Sequence, residues 1–158
     1  MNNLYLLKNQ LIKRRLTKEF DVLQEKQFLT ELFFVDDSQN EIIVVCKQDN
    51  RSYKFMINTT RYPFVPPTIY YNGYMYGDFL RLNDFQRSML KRVKGIGCFC
   101  CNTFNCSDKW CPALFLINII DEMKDIQKFK KDVLNIIIAE KIKNKYLLPE
   151  IDINSWLI

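Results

Sequence analysis

The chain has 158 residues, 48 % apolar and 14 % aromatic, with a formal charge of +5 and no histidine. That composition excludes a disordered chain and is long enough to bury the core of one domain. The missing histidine excludes a Cys–His nucleophile pair and obliges any zinc site to be rich in thiolates.

Residues 3–25 predict an amphipathic helix. Ile12, Leu16, Phe20 and Leu23 recur on one stripe, while Lys13, Arg14, Arg15, Lys18 and Glu19 fall mostly off it. The opening "MNNLYLLKNQLIKRRL" has no small-residue cleavage site behind an apolar core, so it does not read as a signal peptide. No segment approaches the roughly 18 apolar residues of a membrane span. The expectation is a soluble intracellular protein, and in a reducing compartment clustered cysteines bind metal or do chemistry rather than pair as disulfides.

Three strands follow: "LTELFFVDD" (29–37), "NEIIVVCKQDN" (40–50) and "RSYKFMINTT" (51–60), the last with Tyr53, Phe55 and Ile57 on one face. Short polar turns between them predict an antiparallel meander, with Cys46 as a small buried hydrophobe. "RYPFVPPTIYYNG" (61–73) carries prolines that cannot join a sheet ladder, which predicts a rigid extended loop over Tyr62–Pro67 and a fourth strand over Thr68–Tyr71.

Residues 79–96 read as partly helical and basic, with Arg81, Arg87, Lys91, Arg92 and Lys94 against Asp84. That stretch is either a nucleic-acid surface with Phe79 and Phe85 as stackers or a solvated helix face. The modest charge favours the solvated face, and nucleic acid is not an expected partner. Pro112 suits the first turn of a helix running to about Lys124. A second helix, 125–145, has Ile126, Phe129, Val133 and Ile137 on one face, and the tail "LLPEIDINSWLI" is apolar enough to dock on its own core or on a second copy as a homodimer.

The order describes a single α+β domain over 1–158: an N-terminal helix, a four-stranded antiparallel meander, a proline-rich loop, a cysteine-rich loop and two C-terminal helices. Residues 79–96 form a basic insertion, 97–111 the cysteine-rich loop and 125–158 a C-terminal extension.

Within that order, "KRRLTKEFDVLQ" (13–24), "YPFVPP" (62–67) and "WCPALFLINIIDEM" (110–123) resemble three landmarks of the ubiquitin-conjugating enzyme family. These are its first helix, its Tyr-Pro-x-x-Pro-Pro loop and the Trp-x-Pro-Ala opening of its next long helix. The resemblance implies that family's fold and a cysteine that accepts ubiquitin as a thioester and passes it to a lysine. "GCFC" (97–100) is similar to the sequence around that cysteine, which would make Cys100 the nucleophile. The family's His-Pro-Asn triplet, however, would fall on Gly77, Asp78 and Phe79. Phe79 cannot donate to an oxyanion, and losing one such donor costs on the order of 10²- to 10³-fold in rate. Asn72, Asn83 and Asn102 are the substitutes the sequence offers.

The cysteines are spaced Cys98-x-Cys100-Cys101-x₄-Cys106-x₄-Cys111. Cys98 and Cys101 have the knuckle spacing that lets two thiolates grip one Zn²⁺ from a tight turn, and Cys106 and Cys111 would complete a Cys₄ site, leaving Cys100 over. Buried hydrophobic thiols and disulfides are the competing readings. The resulting expectation is a divergent, non-catalytic ubiquitin-conjugating-enzyme-like domain with a structural zinc ion. It would act through contacts with ubiquitin or a component of the conjugation machinery; the alternative is an active transferase with a thioester on Cys100.

Overall fold

Asn9 decides where the first helix begins. The computed structural model, which describes residues 3–106 and 108–146, gives Asn9 an extended backbone, and its side-chain oxygen accepts the N–H groups of Leu11 and Ile12 at 3.1 and 3.3 Å. Helix α1 therefore runs Gln10–Glu25 rather than from residue 3, and Asn3–Leu6 forms a short 3₁₀ turn. Ile12, Leu16, Phe20 and Leu23 are all buried, as their spacing requires.

The sheet is antiparallel and its strands follow chain order: β1 (Leu29–Phe34), β2 (Glu41–Gln48), β3 (Arg51–Asn58), β4 (Thr68–Tyr71) and β5 (Tyr74–Met75). Cross-strand pairing aligns Leu32, Val44, Phe55 and Ile69 in one row, and all four are buried. Cys46 lies on the same face opposite Tyr53, and burial pushes its thiol pKa up. The fifth strand extends the expected four. Asn72 and Gly73, at φ of 46° and 87°, form the two-residue turn that brings Tyr74 opposite Tyr71.

The stretch 61–65 is turned rather than extended. The Asn58 side chain accepts the N–H groups of Thr60 and Arg61, and Phe64 and Val65 donate back to the Arg61 carbonyl. A local side-chain acceptor thus overrides the extended preference of a proline-rich run.

Beyond the sheet come α2 (Tyr76–Phe79), α3 (Asp84–Lys94) and α4 (Leu116–Tyr146). Helix α3 is bounded by a capping box between Asn83 and Gln86 and by Gly95 in the left-handed conformation. The two expected C-terminal helices are one. No glycine or proline interrupts 116–146, so nothing breaks the hydrogen-bond ladder at Lys124, and the helix starts four residues after Pro112.

The chain forms two compact units, one from residues up to Arg81 together with Phe99–Glu122, the other from Leu82–Cys98 together with Met123 onward. The first holds the sheet and α1. In the second, α3 buries Leu90 and α4 buries Ile126, Phe129, Val133 and Ile136. Ile137, expected on that stripe, is only half-buried; Ile136 takes the place. The apolar tail lies outside the described residues, and with it the expected homodimer contact. Among the described residues no helix is long and apolar enough to cross a membrane.

Candidate metal centre

A buried polar knot holds the base of the cysteine loop. Glu19, expected off the apolar stripe of α1, is 1 % exposed. Its carboxylate accepts Arg15 Nε–H and the Tyr62 O–H on one oxygen and the backbone N–H of Leu116 on the other, at 3.1 Å for the last. Glu19 thereby satisfies an amide at the start of α4, where a negative charge also suits the helix dipole. Arg15 reaches further, donating to the carbonyls of Pro112 (2.9 Å) and Leu114 and lying 4.1 Å from the Phe115 ring centroid. Trp110 Nε1–H donates to the Pro63 carbonyl at 2.7 Å, with its ring 6.1 Å from that of Tyr62.

Arg15 and Glu19, Tyr62 and Pro63, and Trp110 to Leu116 are the three segments singled out in the sequence. The fold brings them to one place. Burial pushes the Glu19 carboxyl pKa up, and the Tyr62 hydrogen bond, the Arg15 charge and the Leu116 amide pull against it.

The loop itself is pinned by a second polar group. Phe99, Thr103 and Trp110 are buried, and the N–H of Phe104 donates to both oxygens of Glu122, at 3.0 and 3.1 Å. The same carboxylate accepts the Tyr76 hydroxyl at 3.0 Å. Burial and the Glu122 charge push the Tyr76 pKa up, with a hydrogen bond from Thr103 pulling back. The loop thus has apolar and polar anchors of its own. The i,i+4 pair Arg15–Glu19 was a legible signal for the first knot; nothing in the sequence pointed to Tyr76 and Glu122.

At the start of this loop the sulfur atoms of Cys98, Cys100 and Cys101 all lie within 4.8 Å of one another, close enough to hold a metal ion. Cys100 and Cys101 Sγ are 3.7 Å apart, and both residues are exposed. Two thiolates on one tetrahedral zinc, each about 2.3 Å from it, are separated by about 3.8 Å, so this spacing fits the ion. It is far too long for a disulfide, whose sulfurs lie about 2.05 Å apart. Cys106, half-buried, and Cys111, exposed, stand outside the group, while Cys100, expected to be left over, is inside it.

The stretch expected at the family's catalytic triplet is α2, with Tyr76 turned inward to Glu122 and Phe79 stacked on the Tyr76 ring at 5.9 Å. Phe79 is therefore engaged within the fold, whereas Phe85 and the basic side chains of α3 are exposed. Of the substitute asparagines, Asn72 uses its side-chain oxygen on the Ser52 amide and Asn83 uses its own to cap α3. Asn102 sits on the cysteine loop two residues from Cys100, its N–H on the Phe99 carbonyl.

No protein-family model, curated protein or solved structure matches this chain.

Proposed function

We propose that this chain is a non-catalytic interaction domain of ubiquitin-conjugating-enzyme-like design whose cysteine loop is stapled by zinc. The observation that carries the reading is the sulfur group itself, because it draws in the one cysteine the family resemblance would assign to chemistry. A thiolate bound to metal is not available for transthiolation. Zinc is the ion favoured by a donor set of thiolates without histidine at this sulfur spacing. Cys98, Cys100 and Cys101 would hold it; Cys106 and Cys111 are the loop's remaining thiols from which a fourth ligand can come. The convergence of the three landmark segments on Glu19 supports the family-like design, and the inward-turned α2 in place of an oxyanion donor supports loss of transfer activity. Protein partners, ubiquitin or a conjugation component among them, follow from that design.

The exposure of Cys100 favours the second reading, an active transferase, and one experiment separates them. The purified chain is assayed for bound metal, then incubated with activating enzyme, ATP and ubiquitin. One equivalent of zinc and no thiol-reducible adduct is the expected result. An adduct that disappears in Cys100→Ser overturns non-catalysis, and a metal-free protein overturns the staple.

A further inference from the structure

We infer that the outward face of α4 docks on an anionic lipid surface. The inference does not depend on how the cysteines are read.

Charge is divided between the two compact units. The first holds twelve basic and twelve acidic residues, so the chain's formal charge of +5 lies wholly in the second. Such a split, rather than the modest total, is what attracts a polyanionic partner. In the second unit, the last turn of α3 contributes Lys91, Arg92 and Lys94, all exposed.

The charge is sorted again on α4. Lys131, Leu134, Ile138, Lys141 and Lys145 follow one another at steps of three and four residues, so they share one face of the helix, with Ile142 one turn beyond Ile138. All six are exposed, while Ile126, Phe129, Val133 and Ile136 occupy the opposite, buried side. The acids of the helix beyond Met123, namely Asp125, Asp132 and Glu140, all fall off the stripe. Among the described residues, Lys131, Lys141 and Lys145 enter no ion pair. Leu134 is 53 % exposed, Ile138 46 % and Ile142 45 %. Large aliphatic side chains open to water on successive turns are not what a solvated face needs; Glu–Lys pairs at that spacing make such a face.

Aliphatic residues combined with lysines, and with no acid, select the occupant. Nucleic acid takes the cations but has no use for Leu134, Ile138 and Ile142, which neither donate to phosphates nor stack on bases. A second copy would bury the aliphatic residues but bring its own lysines against these. An anionic bilayer accepts both. The aliphatic side chains enter the boundary between headgroups and acyl chains, and the lysine stems lie along them with their ammonium groups on the lipid anions. From Lys131 to Lys145 the stripe is about 21 Å long. Tyr146, 62 % exposed, ends the described helix with a ring suited to the same boundary.

The test sediments the full chain with phosphatidylcholine vesicles, with and without phosphatidylserine, at low and high salt. Retention on the anionic vesicles only, weakened by salt, is expected. Lys131→Gln and Lys141→Gln should each weaken it about fivefold, and Ile138→Ser about tenfold. All three positions are exposed, so the variants keep the fold. Ile138→Ser is the decisive variant, since a purely electrostatic polyanion site would not feel it. Equal binding by Ile138→Ser, or tighter retention of DNA or RNA at the same salt, overturns the inference in favour of nucleic acid. No retention on anionic vesicles also overturns it. A dimer in light scattering that Ile138→Ser dissolves then assigns the stripe to a second copy, and a monomer whose residues 147–158 become protease-sensitive in that variant assigns it to the chain's own end.

Discussion

The two ends of the segment 98–116 are organised by opposite means. At Leu116, the chain is held by a carboxylate that is 1 % exposed and has every oxygen engaged by protein donors. At Cys98–Cys101, three thiols cluster, two of them exposed, close enough together to hold a metal ion. The first arrangement contributes stability without any bound ion. The second depends on what the solution supplies. A buried group with fixed partners makes scaffold, and an exposed group of soft ligands makes a site.

The sharpest way to break that contrast is to remove the scaffold's centre. Glu19→Ala takes the shared acceptor from Arg15 Nε–H, the Tyr62 hydroxyl and the Leu116 amide, and should cost about 3–5 kcal/mol in denaturant unfolding. A loss below about 1 kcal/mol would mean that water reaches the knot and that it is not the scaffold described.

Acidity offers a finer test of the same knot. Burial holds the Glu19 carboxyl above its ordinary value of 4.5, so the folded protein keeps that proton more tightly than the unfolded chain does. Its contribution is complete below the unfolded value and is lost as pH rises through the folded one. The stability of the parent relative to Glu19→Gln, which is neutral at every pH, should therefore fall as pH rises above about 4.5. Parallel stability–pH curves for the two proteins would contradict a raised carboxyl.

Tyr76→Phe deletes one donor to Glu122 while the Phe104 amide remains, and should cost about 1–1.5 kcal/mol. Amide exchange at residues 99–106 should quicken if Glu122 is the loop's anchor.

Smallest of all for the scaffold is loss of the metal. Cys98→Ser, Cys100→Ser or Cys101→Ser should each abolish most zinc binding yet leave the far-ultraviolet circular dichroism unchanged, because Phe99, Thr103, Trp110 and Glu122 still hold the loop. Cys106→Ser and Cys111→Ser should reduce zinc less. If chelation instead unfolds the sheet, the sulfur group belongs to the scaffold, and the two ends of the segment are not different in kind.

Much of the fold was legible because it rests on periodicity. The stripe Ile12, Leu16, Phe20, Leu23 and the alternation Tyr53, Phe55, Ile57 each encode a buried face directly, and both faces are buried as read. Departures came where a single polar side chain outvoted the local pattern: Asn9 delaying α1, Asn58 turning the proline loop. They also came where an expected break had no breaker, in α4. At the site, the clustering of cysteines was plain, but the set that meets was not. Cys98, Cys100 and Cys101 meet because a tight turn brings near neighbours together, whereas Cys106 and Cys111, further along the loop, stand outside that group.

The sequence by itself determined the α+β class, the order of its main elements, the apolar faces and a histidine-free, thiolate-rich set of metal donors, since each follows from local spacing or from which residue types are present. Only the tertiary structure decided that Glu19 is buried and that Tyr76 and Glu122 hold the loop. Those depend on long-range approach, where a polar or aromatic side chain takes its role from partners that no local pattern encodes.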